Sequence, residues 1–336
     1  MSDPAAAPTE LERAIASQPG ELGRLLGVAI PHDTIERLRQ AHRIWLVGTG
    51  TSQHAAELGA AMFHDAGRAA HAVSSMRFVN WAPPVDAADA VIVISHNAGA
   101  ETSYAAAAYT MGMNAGLRVV AITRRGGGLL EALETVEKER SHTYTVSYTA
   151  ALLLLARLAH ALGAEAYAPE VLARVPDAVH AAIAEPDTTS IPQPERALVL
   201  FGEGPSGITA REGALKVREA ARMLAEGYDV EFLLHGSAVP LDSRDHLVAL
   251  APPDTDGLMA AVAAAAETEG VAVTALIEPS DLPPVLAQIP LTVRLQILAL
   301  RFALERGTDP DLAIERAWAD EALWSIGGPG GRGSEA

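Results

Sequence analysis

Short aliphatic, β-branched runs alternate along the chain with longer Ala-rich stretches that carry apolar residues at helical spacing. The short runs predict strands over 43–47, 90–94, 117–122, 197–201, 246–250 and 271–276. The longer stretches predict helices over 52–65, 102–113, 147–162, 209–224 and 258–267. The strand candidates are apolar throughout, as strands covered on both faces are, so the pattern predicts parallel sheets with helices on either side. The series occurs twice, over about 30–165 and again over 191–308. We therefore divide the chain into an N-terminal helical segment (1–29), a first domain (30–165), a helical linker (166–190), a second domain (191–308) and a tail (309–336). The linker assignment rests on the spacing of Pro169, Pro176 and Pro186.

Both series open identically, with strand, glycine turn and helix. The first reads Val47-Gly-Thr-Gly-Thr-Ser52 and the second Phe201-Gly-Glu-Gly-Pro-Ser206, the pattern of a tandem duplication. A glycine turn lets the backbone approach a ligand closely, and the free amides at the start of the helix favour an anion. Gly50, Thr51 and Ser52 form the first candidate anion site, although the same hydroxyls would also serve as a simple helix cap. A dinucleotide reading fails because Gln53 stands where G-x-G-x-x-G needs its third glycine. A second polar loop, from Ser95 through His96 and Asn97 to Thr102, follows the next strand. Loops after neighbouring parallel strands lie side by side, so the two are expected to share one anion pocket.

Composition narrows the partners. The formal net charge is -17, which disfavours nucleic acid at long range but not a small phosphate held by local dipoles. There is no cysteine, so disulfides, thiolate metal sites and a cysteine nucleophile are excluded. The histidines show no metal-ligand spacing, and His54, His64, His71, His160 and His180 read as structural or surface residues. No metal or cofactor is expected. No signal-type leader or apolar run of spanning length is evident, and the expected location is cytoplasmic with no membrane partner.

An ordered set of motifs gives the chain a resemblance to the SIS (sugar isomerase) family, in particular to the isomerase half of glucosamine-6-phosphate synthase and to related deaminases and deglycases. That half carries an E-Q-P-like element, C-G-T-S, S-Q-S-G-E-T, E-G-A-L-K-x-K-E, A-E-A-Y and H-G-P in order. Here stand Ser17-Gln18-Pro19, Gly50-Thr51-Ser52, Ser95-His96-Asn97 with Glu101-Thr102, Glu212 to Glu219, Ala225-Glu226-Gly227-Tyr228 and His235-Gly236. The resemblance implies two tandem SIS domains, each a five-stranded parallel sheet flanked by helices in an α/β/α sandwich. It implies that Gly50, Thr51, Ser52, Ser95, His96, Asn97 and Thr102 surround the phosphate of a sugar. By the same resemblance Glu219 moves a proton between C1 and C2, Lys216 sits near the reacting carbons, and His235 opens the ring from the neighbouring subunit of a homodimer. Independently, Glu212, Lys216 and Glu219 fall on one helical face, an arrangement equally open to a solvated ion-pair stripe.

The pattern also departs from the family. The Ser95–Thr102 loop is two residues longer than its counterpart, Ser237 replaces the H-G-P proline, and the stretch from Leu312 to Gly327 has no lysine for a C-terminal imine. No glutaminase with a cysteine nucleophile is expected. The function expected on balance is isomerising deamination or deglycation of an amino sugar phosphate or fructosamine phosphate. The alternatives are amination fed by free ammonia or a separate glutaminase, and sugar-phosphate binding without catalysis.

Overall fold

The computed structural model describes residues 7–97, 103–130 and 132–313. Helices α1 (Glu10–Leu26) and α2 (His32–Arg39) precede strand β1 (Ile44–Gly48). There follow α3 (Thr51–Asp65), β2 (Ala70–Ser74), α4 (Ser75–Asn80), β3 (Ala90–Ile94), α5 (Tyr104–Asn114), β4 (Arg118–Thr123) and β5 (Ala132–Glu134). Helices α6 (Val146–Ala161), α7 (Pro169–Leu172) and α8 (Val175–Ala184) then lead to β6 (Ala197–Gly202). The remainder is α9 (Pro205–Ala221), β7 (Leu224–Asp229), the single turn α10 (Val230–Phe232), β8 (His246–Ala251), α11 (Leu258–Thr268), β9 (Ala272–Ile277) and α12 (Gln288–Arg306).

The strands form two parallel sheets, β2-β1-β3-β4-β5 and β7-β6-β8-β9. The second sheet thus has four strands among the described residues, which corrects the expectation of five in each half. The sequence series supplied no fifth run of β-branched residues there: β9 is followed directly by a loop and the long helix α12. Residues on one strand alternate between two apolar layers, as the pleat requires. Leu46 and Ile92 face inward to a core that also holds Leu198, Leu200 and Val248 of the other sheet. Val47, Val91 and Val93 face outward onto Phe78, Ala105 and Ala108 from α4 and α5. Val199, Phe201 and Leu247 face the opposite way onto Val230, Met259 and Val262.

The middle layer, built from α1, α3, α6, α8, α9 and α12, is therefore shared by both sheets. Helix α6 is buried on nearly every side from Val146 to Ala159, as a helix apolar all round must be. Close approach inside this layer is bought with glycine. A Cβ on Gly59 would stand 2.8 Å from Leu46 Cδ2 and 2.9 Å from Leu155 Cδ1. The corresponding position of the second series, Gly213, would bring one to 2.5 Å from Leu295 Cδ1. Among the described residues, no helix is long and apolar enough to cross a membrane.

Candidate active site

The first glycine turn leaves β1 and enters α3. Gly50 adopts φ +54°, ψ −129°, a backbone shape closed to ordinary side chains. Gly48 lies so close to the first turn of α3 that a Cβ there would sit 2.4 Å from the Ser52 carbonyl oxygen. These two constraints aim the start of α3 at a cavity of about 620 Å³. Gly50, Thr51 and Ser52 line it from β1, and Ser95, His96 and Asn97 line it from the end of β3. The side-by-side register of β1 and β3 brings the two loops together, as the sequence implied. Thr102 lies outside the described residues. Tyr144, Ser147 and Tyr148, from the segment entering α6, close the cavity on another side.

The third contribution comes from the second half of the molecule. Helix α9 packs against α3 and presents Glu219 to the same cavity. Lys216 is fully buried directly behind it, with Nζ donating to Glu219 Oε2 at 2.6 Å and to Thr51 Oγ1 at 3.1 Å. Glu212, one turn earlier and also fully buried, lies 3.5 Å from the same ammonium and accepts from the Thr51 hydroxyl at 3.1 Å. The stripe on α9 is thus turned inward and braced against the turn of the first half, not solvated. His54, which the sequence gave no reason to choose, joins this group: its Nδ1 is 2.7 Å from Glu212 Oε2. The available signal was its spacing from Thr51, which puts both on one face of α3.

Burial governs the charges. It pushes the Glu219 carboxyl up, and the adjacent Lys216 ammonium only partly offsets this. Burial likewise works against the charged forms of Glu212 and Lys216. There the attraction between the ammonium and the carboxylates outweighs it, holding Glu212 below and Lys216 above their ordinary values. A carboxyl poised above its usual range beside a fixed cation is suited to taking up and returning a proton. On the loop after β3, His96 Nε2 accepts the Glu139 backbone amide at 3.1 Å, which leaves the ring hydrogen on Nδ1. Burial, with the charges of Arg124 and Lys138 adding to it, pushes His96 down to about 4. Asn97 donates to the Tyr144 hydroxyl at 3.1 Å, while His96 Nδ1 and Asn97 Oδ1 are buried with no hydrogen-bond partner among the described residues.

His235 does not line this cavity. It sits in an irregular turn after α10, its side chain 74% exposed and 4.0 Å from Glu231. The single chain therefore assembles the Gly50–Ser52 turn, the Ser95–Asn97 loop, Lys216 and Glu219 but leaves His235 outside. The second glycine turn is also unlike the first. Gly204 takes φ +52°, yet the Ser206 hydroxyl donates to the Pro252 carbonyl and the Gly204 amide donates to Asp229 at 3.2 Å. The chain's own groups occupy the start of α9. Two acidic groupings lie away from the cavity. In His42, Asp86 and Asp89, the Asp89 carboxylate is already bonded to Arg43 and the Trp45 indole. In Glu203, Asp254 and Asp256, Glu203 accepts from the Thr255 amide.

Two parallel sheets sharing a helical layer, with a glycine turn, a polar loop and a buried Glu–Lys pair around one cavity, define an α/β protein whose site is built at the carboxyl ends of its strands. Residues 37–161 match the family model described as the SIS domain. It is 28% identical over 316 residues to a glutamine–fructose-6-phosphate aminotransferase (isomerizing) of Gloeobacter violaceus, covering 80% of this chain and 50% of that protein. The counterpart of Bacillus subtilis is 27% identical over 341 residues, covering 90% of this chain and 55% of that protein. The chain thus spans about half the length of the curated relatives it matches. Among solved structures, tagatose-6-phosphate ketose/aldose isomerase from Escherichia coli superposes with a TM-score of 0.79 at 20% identity, covering 94% of this chain and 98% of that one. Glucosamine-6-phosphate deaminase from Thermotoga maritima gives 0.74 at 19%, covering 90% and 97%. These likenesses establish the fold. The family match covers the first sheet and its helices, so two tandem SIS domains are not established by it.

Proposed function

We propose that this cavity holds the phosphate of an amino sugar phosphate or fructosamine phosphate, and that the protein isomerises the sugar and releases its amine. The observation that carries the reading is Glu219, set on the wall of the cavity that the Gly50–Ser52 turn and the Ser95–Asn97 loop also line. The turn and loop would take the anion through backbone amides and hydroxyls. With an aldose amino sugar, Glu219 would remove the C2 hydrogen and return it to C1. The resulting imine at C2 would be hydrolysed by water to a ketone and free amine. With a fructosamine, the proton would travel from C1 to C2 and the imine would form at C1. Lys216 would hold the carboxylate in place and offset charge on the enolamine.

His235 would act in the site of a neighbouring copy, donating and accepting the proton that opens the sugar ring. Its exposure beside Phe232 (68% exposed), Leu234 and Val239 (85%) supports a contact surface there. We read the second half, over 191–308, as a second SIS unit whose turn has become structural. Support comes from the matching sheet order and from glycines at equivalent positions of α3 and α9. The names of the curated relatives favour a second reading, in which the same proton transfer runs towards amination of a ketose phosphate by ammonia.

The test is amine release from glucosamine 6-phosphate and fructosamine phosphates, followed with a coupled ammonia or sugar assay. Turnover by the wild type and its loss in Glu219→Gln, with phosphate-ester binding retained, is the expected result. Ketose and ammonia consumption without release would favour amination. Binding that Glu219→Gln leaves unchanged, with no turnover in either direction, would refute catalysis and leave a sugar-phosphate-binding protein.

A further inference from the structure

His54 closes a buried chain of polar groups that begins in the cavity. From Glu219 the contacts run to Lys216 at 2.6 Å, on to Glu212 at 3.5 Å, and from Glu212 to His54 at 2.7 Å. Thr51 is hydrogen-bonded to both Lys216 and Glu212 in the middle of the chain. Glu212 and Lys216 have no solvent exposure, and the His54 side chain is 13% exposed. A carboxylate accepting at Oε2 requires a hydrogen on His54 Nδ1.

The charges do not cancel without His54. One ammonium faces two carboxylates, so the ionised cluster is left with a single net negative charge in a site where uncompensated charge is costly. One further proton removes it, and either Glu219 or His54 can carry that proton. The other charged groups nearby leave the imbalance in place. Beside His54, Glu57 of α3 is paired with Arg211 of α9, and Gln53 also donates to Glu57. Arg218, next to Glu219 on α9, favours its ionised form but is shared with the exposed Glu226 of β7, 3.9 Å away, and does not enter the buried cluster. Glu139, from the loop before α6, adds negative charge on the Lys216 side and spends its carboxylate on the amides of Thr145 and Ser147. Tyr148 of α6 is fully buried, and burial pushes its hydroxyl up, so it stays neutral.

We propose that His54 is a positioning residue that sets the protonation state of Glu219 through Glu212 and Lys216. A protonated His54 lets Glu219 remain ionised, ready to take a proton from a sugar carbon. A neutral His54 leaves the cancelling proton on Glu219, where it blocks that step. The proposal rests on Glu219 being the proton-transferring group, but its test does not require the substrate to be known.

The experiment is a carboxyl titration by NMR on the full chain carrying 13C-labelled glutamate, with the Glu219 resonance assigned from Glu219→Gln. His54→Gln keeps an N–H donor for Glu212 but cannot become charged. It should raise the midpoint of Glu219 by about one pH unit, the size of a charge effect across such a partly screened separation. By reciprocity, Glu219→Gln should shift the titration of the His54 ring in the otherwise native protein, downward and by the same amount. This second measurement decides the matter should His54→Gln fail to fold. An unchanged Glu219 midpoint in folded His54→Gln, or an unmoved His54 titration in Glu219→Gln, overturns the proposal and leaves His54 as a structural donor. If both shifts occur while no sugar phosphate is turned over, the coupling stands and the enzymatic reading falls.

Discussion

Replacing Lys216 with methionine removes the cation that Glu212 and Glu219 share. Methionine preserves most of the volume and none of the charge, so packing changes little while Glu212 and Glu219 lose their shared cation. Removing one partner of a buried ion pair costs about 3–5 kcal/mol, because the remaining charge is left uncompensated. Glu212 falls at the upper end, being fully buried, whereas the Glu219 side chain is 24% exposed and water attenuates its share. At roughly 2 °C per kcal/mol for a chain of this size, melting should fall by about 6–10 °C at pH 7. The loss should also depend on pH. In the wild type, Glu212 is held below its ordinary value, so its contribution is present above that value and disappears as acid passes through the folded one. Lys216 is held above its ordinary value, so its contribution is complete below that value and is lost as the pH rises through the folded one. The gap between wild type and Lys216→Met should therefore be widest near neutrality and close towards both extremes. Urea unfolding at pH 3, 7 and 11.5 measures it, and adding Glu212→Gln to the variant should recover a substantial part of the loss. A deficit under about 1 kcal/mol at pH 7, or one that is flat with pH, would refute the account of an ion cluster held together by this lysine.

The remaining predictions concern the site more directly. Glu219→Gln should reduce turnover by about 10²–10⁴-fold while melting changes little, as measured by amine release and calorimetry side by side. If His235 serves the neighbouring copy, mixing inactive Glu219→Gln and His235→Ala chains should restore about a quarter of wild-type activity through mixed dimers with one complete site. No recovery after equilibration would place His235 outside the reaction. Gly48→Ala should push the first turn of α3 away from the cavity and weaken sugar-phosphate binding by titration calorimetry, at a stability cost of about 1–3 kcal/mol. His96 is lowered to about 4, so folding favours its neutral form. The contribution is complete above about pH 6.5 and is lost as the pH falls from there to about 4. His96→Gln should flatten the melting temperature across that window, and an unchanged slope would count against the burial argument.

Much of the scaffold was legible because it follows from unbroken apolar runs. The strands β1, β3, β4, β6 and β8 are buried on both faces and read as such. Strands β2 and β7 escaped notice because they lie at sheet edges, where half their side chains meet solvent and the composition turns polar. The expected helix over 209–224 starts four residues late and runs three residues past the end of α9, because Arg222 takes a left-handed backbone conformation that ends the helix at Ala221, and no sequence rule anticipates that in arginine. Within the site, Lys216 and Glu219 could be grouped by helical spacing alone. Spacing on α3 groups His54 with Thr51 but does not connect it to Glu212, which belongs to a helix packed against α3 from the other half of the chain. Tyr144 and Tyr148 reach the cavity through the position of α6, which no spacing within a single element displays.

The shared middle layer has a mechanical consequence. The Gly50–Ser52 turn that would grip a ligand opens α3, and Glu219, which would attack it, rides on α9, so the gap between these two is an interior dimension and not the reach of a loop. Gly59 and Gly213 fix that dimension by letting each helix settle against its sheet and its neighbours, Leu155 of α6 and Leu295 of α12. A methyl group added at either glycine would act as a shim, altering reactivity from deep inside the protein without touching a single polar atom of the site.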